Sequence, residues 1–521
     1  MAEAWSLPDG ILRESDTVVV PLGMLKGSDF RCPAADALKA RGYRAQIPVR
    51  RPKERLEHFT FGPFMRALDA GPDHKGSADV SGGKPAHDGL VQWTEHALAT
   101  YRAAFPSHPD SPMVEEPTPW AYRHQLPSPD RRGAREYRIT VWGRCLRSAD
   151  GTTRELRLPV NRLRAAPSSA GHVAAAAFVL AEGRPGPKPA RVRVVEFALL
   201  DGQVRVLFEG TRTEALEAYR SHGSQALAAV LDTPEYRPGS ACAACPFLSA
   251  CPALRKAPGL LTLDAPGRTR RTWSVTNGRN YRTCPARDHL RRLRIPAVDA
   301  IEKGADVERG RAVHAYLATR HGDGPTRPCT ADIPERWVPE EYELSEQDRA
   351  LGALLLSRHA AVCPLRQVRD RSDVRPEARV VRYDSTADVV AIAAPDLLYR
   401  DGGSWVWRET KTSLAERRGR VPLLERYPQL ALGVALIARG DLGGDSSGSR
   451  IELETLRPGG ADLEIVDPFD PGTRTAADKV LKELTDTWHG DSRFEATPGK
   501  ECARCEMARW CSAKQEPEVA A

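Results

Sequence analysis

Two carboxylates and a lysine stand close together in the segment VVAIAAPDLLYRDGGSWVWRETKTS. Asp396 ends one β-rich run, and Glu409 and Lys411 lie two residues apart in the next run, beyond an Asp-Gly turn. Alternation along a strand puts Glu409 and Lys411 on one face. Carboxylates from two strands can share a divalent cation, while the ammonium group stands beside an attacking water or a phosphate oxygen. The pattern therefore predicts phosphodiester hydrolysis.

The cysteines form two sets with one spacing, C-x2-C-x5-C, and each set has a distant fourth member in a similar Arg-x0-1-Cys-Pro-Ala setting. The first set is Cys32, Cys242, Cys245 and Cys251, and the second is Cys284, Cys502, Cys505 and Cys511. Four thiolates suit either an iron–sulfur cluster or a zinc ion. The three remaining cysteines, Cys145, Cys329 and Cys363, stand alone and are predicted to be small core side chains.

The elements between these cysteines occur twice in the same order. Each half reads as a hairpin, an apolar helix ending at glycine, a second hairpin and an amphipathic helix before the cysteine triplet. The sequence predicts an α/β protein built from two tandem modules. The expected boundaries are 1–258 for the first module, 259–272 for a linker, 273–512 for the second module and 513–521 for a tail.

Composition narrows the class of protein. The chain has 521 residues, a formal charge of +7 and a pI near 8.8, so nucleic acid is an allowed partner. It shows neither a signal-peptide pattern nor an apolar run long enough to span a membrane, which predicts a cytoplasmic protein with reduced cysteines. The G-x4-G-K-[ST] phosphate loop is missing, so any strand separation is expected to need a partner motor.

The order of these motifs resembles the RecB-like branch of the PD-(D/E)xK nuclease superfamily, in particular its iron–sulfur members, such as AddB-type nuclease domains and CRISPR-associated exonucleases. The resemblance covers Trp273 to about Ser512. It rests on Cys284, Gly310 with His314, Pro395-Asp396, Glu409-Thr410-Lys411, Tyr427 with Gln429, and the final cysteine triplet. It implies a restriction-endonuclease-like fold, with a mixed central sheet flanked by helices, in each module.

The resemblance also implies roles for individual residues. His314, Asp396 and Glu409 would bind Mg²⁺ or Mn²⁺, together with the carbonyl group of Thr410. Lys411 would orient the water or stabilise the phosphate, and Gln429 would contact DNA or steady the lysine. The family pattern has a tyrosine four residues after the glutamine, where this chain has Gly433 and only Tyr427 could substitute.

For the cysteines, the resemblance favours a [4Fe–4S] cluster on Cys284, Cys502, Cys505 and Cys511, with a second cluster on the first set. Zinc remains the alternative. The function that follows is a metal-dependent deoxyribonuclease, expected to be an exonuclease, in DNA repair or phage defence, with DNA and a separate helicase or defence subunit as partners.

The first half lacks the catalytic residues at matching positions. With the Asp-Gly turns as register, Cys145, Leu158 and Val160 replace Asp396, Glu409 and Lys411. Aligning the glycine-ended helices instead places His172 at Gln429, and matching TFGPFMRALDAG to the helix of Gly310 and His314 places Arg66 at His314. Glu155 and Arg157 are close by, but they complete no Asp-plus-Glu-x-Lys set. We therefore expect a degenerate module that extends the DNA path, with arginines such as those of PDRRGAREYR.

Two alternatives remain open at this point. The chain could be a DNA-binding or scaffold subunit of a helicase–nuclease complex, with little or no cleavage of its own. It could also be a zinc-stapled RNA-binding protein, a possibility that metal content would decide.

Overall fold

The structure is a computed structural model that describes residues 7–27, 30–47, 61–70, 86–106, 112–127, 134–267, 269–297, 304–322, 327–366, 368, 370–414 and 421–514. The chain forms two compact units. The first contains Met1–Leu254, Leu290–Pro296 and Trp510–Ser512, and the second contains Arg255–His289, Ala297–Arg509 and Ala513–Ala521.

The first unit is built on a five-stranded sheet. Its helices are α1 (Pro33–Ala40), α2 (Phe61–Asp69), α3 (Asp88–Ala104), α4 (Ala170–Glu182), α5 (Arg212–Ala218) and α6 (Ser224–Asp232). Its strands are β1 (Ile11–Arg13), β2 (Val18–Pro21), β3 (Tyr43–Ala45), β4 (Met113–Glu115), β5 (Ala121–Pro127), β6 (Ala134–Thr140), β7 (Arg144–Ser148), β8 (Thr153–Val160), β9 (Arg191–Ala198) and β10 (Val204–Thr211). The central sheet has the order β10-β9-β8-β7-β4, beside a β2-β6-β5 sheet and a β1-β3 pair.

Helix α4 supplies much of the core of this unit. Ser169 caps its N-terminus by accepting a hydrogen bond from the backbone N–H of His172. Its sequence is apolar on every side, and residues 174–181 are all buried. A helix of this composition is stable only when it is enclosed, here against β8 and β9 of the sheet.

The second unit contains the predicted chemistry. The helices that begin in it are α7 (Val275–Thr283), α8 (Pro285–Arg292), α9 (Ala305–Gly322), α10 (Glu346–Val362), α11 (Leu423–Arg426), α12 (Pro428–Ala438) and α13 (Pro471–Gly490). Its strands are β11 (Arg255–Lys256), β12 (Arg271–Trp273), β13 (Val374–Pro376), β14 (Val380–Asp384), β15 (Val389–Ala393), β16 (Leu397–Asp401), β17 (Ser404–Thr412), β18 (Asp445–Arg457) and β19 (Gly460–Val466).

The central sheet of the second unit has the order β13-β16-β17-β18-β19, and a second sheet has the order β11-β14-β15-β12. Strands β17 and β18 are parallel, and the other neighbours in the central sheet are antiparallel. Read from β4 to β10, the central sheet of the first unit has the same sequence of directions, with β8 and β9 as its parallel pair. Mixed sheets flanked by helices confirm the predicted α/β class.

Helix α12 packs on the face of β17 and is buried along its length. The sequence predicted that this helix ends at a glycine, and it does: Gly440 adopts a positive φ of 69° just after the helix. The N–H groups of Gly440 and Asp441 then donate to the carbonyls of Ile437 and Leu436. This C-terminal arrangement satisfies carbonyl groups that would otherwise be left without donors.

The segment 259–267, which the sequence suggested as part of a linker, packs into the second unit. Leu260 and Leu261 are fully buried in its core. The carboxylate of Asp384 accepts hydrogen bonds from the N–H groups of Gly259 and Leu261, both at 2.9 Å. Apolar side chains at 260 and 261 explain the difference, because burial of both removes them from water.

Among the described residues, helices with the length and apolar character needed to cross a bilayer are lacking.

Candidate active site

Asp396 directly precedes β16. This strand pairs with β17, the strand that carries Glu409. The sequence analysis placed Asp396 at the end of the preceding strand, but that strand stops at Ala393. Pro395 lacks an N–H group and cannot continue a ladder of hydrogen bonds. Because β16 and β17 are antiparallel and Leu397 pairs with Arg408, Asp396 still reaches the carboxyl end of β17.

Lys411 holds the two carboxylates together. Its Nζ lies 3.4 Å from Asp396 Oδ2 and 3.2 Å from Glu409 Oε2, and it donates to the carbonyl oxygen of Thr410 at 2.9 Å. The backbone N–H of Thr410 donates to Asp396 Oδ2 at 2.6 Å. The structure therefore brings Asp396, Glu409, Thr410 and Lys411 together as the sequence predicted.

His314 reaches the same group from α9. Its Nδ1 lies 3.0 Å from Asp396 Oδ1. Gly310, one turn earlier, faces the end of β17, and a Cβ atom at this position would lie 3.5 Å from Thr412 Oγ1. This close approach of helix and strand places the imidazole beside the carboxylates.

Charges within the site shift the ionisation of its members. Burial opposes ionisation of Asp396, but the hydrogen bond and charge of His314 and the charge of Lys411 outweigh it and lower the pKa to about 2. Burial and the charge of Asp396 raise the pKa of Glu409 to about 7. Burial also opposes protonation of Lys411, yet the two carboxylates raise its pKa, so the ammonium form persists.

Glu377 is a site residue that the sequence analysis missed. One of its carboxylate oxygens lies within 4.8 Å of ligand atoms of both His314 and Asp396. Desolvation of its carboxylate and the charge of Asp396 raise the pKa of Glu377 to about 7. It follows β13 with a positive φ of 48°, and its N–H donates to the carbonyl oxygen of Asp396 at 3.2 Å. No sequence signal distinguishes it from a surface glutamate.

The prediction that α12 contributes a side chain that steadies Lys411 is not supported by a contact between described residues. Gln429 is half-buried at the start of the helix, and within the part of the chain that the structure describes it makes no hydrogen bond to Lys411. A Cβ atom at Gly433 would lie 3.1 Å from Trp407 and 3.0 Å from Ile451. The indole of Trp407 thus fills the space next to Gly433, and it donates to Glu409 Oε1 at 3.1 Å.

The cysteines of the first set line one cavity of about 390 Å³. Each sulfur accepts a backbone N–H, from Arg237 to Cys32, from Gly239 to Cys242, from Phe247 to Cys245, and from Ala253 and Leu254 to Cys251. Burial raises the pKa of Cys242 to about 12 and that of Cys245 to about 11. Binding of a metal would therefore have to displace protons.

Three cysteines of the second set are bonded in the same way. The N–H of Thr497 donates to Cys284 and that of Gly499 to Cys502, both at 3.4 Å, and Cys505 accepts from Met507. These donors hold the same positions relative to Cys502 as Arg237, Gly239 and Phe247 hold relative to Cys242. Cys511 belongs by its contacts to the first unit, so its place as the fourth ligand stays a prediction.

Two cysteines that the sequence analysis read as isolated core residues are not isolated. Cys329 and Cys363 lie together with His321 and His359 in a buried group. The physical reason is tertiary, because α9 and α10 pack side by side and bring their C-terminal ends together. Cys145, by contrast, lies in an apolar cluster with Leu156 and Leu158.

In the first unit, the positions matched to the catalytic residues are structural. Leu158 faces the buried side of the sheet with Cys145. Glu155 is also buried, but its oxygens bind Arg157 at 2.5 Å and Arg193 at 2.7 Å. Arg66 is exposed on α2. Arg131 and Arg132, expected to contribute to a DNA path, lie outside the described residues.

Carboxylates, a lysine and a histidine thus lie together at the end of a mixed sheet, an arrangement that suits metal-dependent hydrolysis. Residues 272–512 match the model of the PD-(D/E)XK nuclease superfamily. This match confirms the superfamily resemblance for the second half of the chain and supports a nuclease-type function there.

Other comparisons add little. No protein of curated function matches the chain. A solved structure titled "Crystal structure of SSO0001" is similar to part of it, with 17% identity over 27% of this chain and a TM-score of 0.17. The chain spans 62% of the length of that structure. Similarity at this level supports no argument about fold or activity.

Proposed function

We propose that the chain is a divalent-metal-dependent deoxyribonuclease of the RecB-like iron–sulfur type, and that the hairpin β16–β17 carries its active site. The single observation that carries the proposal is the position of Lys411 Nζ, which contacts both Asp396 and Glu409 within 3.4 Å. A half-buried ammonium group between two acids suits a site that handles a phosphate and a cation together.

The donor set fits Mg²⁺ or Mn²⁺. Carboxylate and carbonyl oxygens are the ligands these ions prefer, and imidazole is acceptable to Mn²⁺. Asp396, Glu409, His314 and the carbonyl of Thr410 would hold the ion, and Glu377 is a further carboxylate within reach of His314 and Asp396. When bound, such an ion supplies Lewis-acid catalysis and lowers the pKa of water.

The residues of the chain have separate tasks. Asp396 stays ionised through the whole neutral range because its pKa is lowered to about 2. Lys411 keeps its positive charge and places an N–H donor where a phosphate oxygen gains negative charge. Trp407 fixes Glu409 through its indole N–H, so the carboxylate does not need to reorganise when substrate binds.

For the cysteines we propose one [4Fe–4S] cluster on each set. The cavity of about 390 Å³ that the cysteines of the first set line together with neighbouring residues leaves space for a four-iron cube. Backbone N–H groups aimed at the sulfurs stabilise thiolates and set the potential of a cluster. A cluster on Cys284, Cys502, Cys505 and Cys511 would tie together the two ends of the second module.

The first unit is proposed to be a degenerate copy without cleavage activity. The same order and directions of strands in both central sheets support this idea. The buried carboxylate of Glu155 is neutralised by two arginines and so is not free to hold a cation. Its contribution would be to extend the surface that binds DNA.

The test is cleavage of labelled single- and double-stranded DNA with Mg²⁺, Mn²⁺ or EDTA. Lys411→Ala should reduce cleavage by roughly 100-fold or more, as loss of one key donor does elsewhere, while DNA binding is retained. Lys479→Ala changes an exposed lysine on α13 and is the matched control. Wild-type cleavage by Lys411→Ala would contradict the proposed site. A wild-type protein that binds DNA without cutting it would favour a scaffold subunit.

A further inference from the structure

Two histidines and two cysteines, none of them a member of either cysteine set, converge inside the second unit. His321 lies at the end of α9, His359 in the last turn of α10, Cys363 directly after that helix, and Cys329 in the segment between the two helices. All four side chains are buried, with between 1% and 8% exposure. Their ligand atoms all lie within 4.8 Å of one another.

The spacing of these atoms is that of a tetrahedral ion site. His321 Nε2 lies 3.2 Å from His359 Nε2 and 3.5 Å from Cys329 Sγ. With Zn–N bonds of about 2.0–2.1 Å and Zn–S bonds of about 2.3 Å, a zinc tetrahedron has N to N edges of about 3.3 Å and N to S edges of about 3.6 Å. The observed separations agree with both edges.

The groups around the ligands are those that support metal binding. His359 turns its Nε2 toward the other ligands, while its Nδ1 lies 2.6 Å from the carboxylate of Glu454. A carboxylate on the outer nitrogen fixes the tautomer of a ligand histidine. Cys363 Sγ accepts the backbone N–H of Cys329 at 3.3 Å. Two thiolates and one Zn²⁺ cancel in charge, and a neutral site is the kind that burial tolerates.

We propose that His321, Cys329, His359 and Cys363 form a structural zinc site. Four protein ligands fill the tetrahedron and leave no position for water or substrate, which is typical of structural and not of catalytic zinc. The site would join the C-terminal ends of α9 and α10 to the loop that carries Cys329.

The proposed zinc site is also connected by hydrogen bonds to the strands that carry the active site. Glu454 on β18 holds His359 with one oxygen and accepts the hydroxyl of Thr410 at 3.2 Å with the other. The N–H of Thr410 in turn binds Asp396. Loss of zinc should therefore loosen α9, which carries His314, and the strand that carries Glu409.

The first test is the metal content and coordination of the wild-type full chain. Elemental analysis should find about one zinc per chain, separate from iron. X-ray absorption at the zinc edge should show two nitrogen and two sulfur neighbours. This measurement needs no variant, so it cannot fail through misfolding. Absence of zinc after expression in zinc-supplemented medium, or a shell of four sulfurs only, would overturn the proposal.

The second test uses variants. Cys329→Ser and His359→Gln should each lose the zinc and keep the iron, and both should unfold at lower temperature. Cys145→Ser removes another buried thiol and should keep the zinc. The competing arrangement is a disulfide between Cys329 and Cys363, which non-reducing peptide mass analysis would detect. Finding this disulfide in freshly purified protein would also overturn the proposal. None of these readouts depends on DNA cleavage.

Discussion

Trp407 and Glu409 face the same side of β17, and the indole N–H of the first donates to Oε1 of the second at 3.1 Å. Both side chains are buried, so the hydrogen bond forms with little competition from water. Through it, the packing of the core determines the orientation of a proposed metal ligand.

Trp407→Phe should weaken Mn²⁺ binding about fivefold, since loss of one hydrogen bond costs about 1 kcal/mol. The control is Trp405→Phe. Trp405 is equally buried on the same strand, but its indole nitrogen has no hydrogen-bond partner among the described residues. Calorimetric titration with Mn²⁺ would compare the two, and equal affinities would show that the indole does not position Glu409.

Gly433→Ala should lower the free energy of unfolding by about 1–3 kcal/mol, the usual cost of overpacking a core. The new Cβ would meet Trp407 and Ile451 at about 3 Å, and both side chains are enclosed. Gly490→Ala, at the end of α13 with open space around it, serves as the control in denaturant titrations. If both variants lose the same small free energy of unfolding, the conclusion that Trp407 fills the space next to Gly433 is wrong.

His172 should make the protein sensitive to acid. Burial, helped by the charge of Lys26, lowers its pKa from 6.5 to about 4. Between these values the unfolded chain binds more protons than the folded chain, so stability falls as the pH drops from 6.5 toward 4. The full effect is about 3 kcal/mol.

His172→Leu should flatten that dependence when stability is measured by denaturant titration at several pH values. His222→Leu, which changes an exposed histidine in the same unit, should leave the dependence unchanged. Parallel pH profiles for wild type and His172→Leu would rule out this source of acid sensitivity.

Iron content should separate the two cysteine sets. Anaerobically purified wild-type protein is expected to be brown and to hold about eight irons per chain if both clusters are filled. Cys242→Ser and Cys502→Ser should each remove about half of this iron, whereas Cys329→Ser should remove none. Colourless protein with zinc in all sites would contradict the iron–sulfur proposal.

Local patterns in the sequence were sufficient to predict the hairpin and the repeated cysteine sets. Alternation and the Asp-Gly turn place Glu409 and Lys411 on one strand face, and the register of β16 and β17 then brings Asp396 to them. The Schellman-type end of α12 at Gly440 was likewise readable, because glycine tolerates a positive φ.

Contacts made by distant segments were not readable. Glu377 enters the site through a turn with a positive φ, and its neighbours in sequence carry no sign of this. Cys329 and Cys363 looked isolated because their partners, His321 and His359, come from packing of two helices. Only the His359-x3-Cys363 spacing, one helical turn, was a local hint of a shared ligand face.

If the Asp396 and Glu409 carboxylates form a metal-dependent nuclease site with Lys411, the Mn²⁺-dependent cleavage rate of Asp396→Asn reports on that site without interference from the other modules. The full-length variant should keep its iron, its zinc and its affinity for DNA but lose essentially all cleavage, by roughly 100-fold or more. Such a loss would also show that the first unit does not cut DNA. Cleavage at the wild-type rate by folded, iron- and zinc-loaded Asp396→Asn would show that Asp396 is not part of the nuclease site.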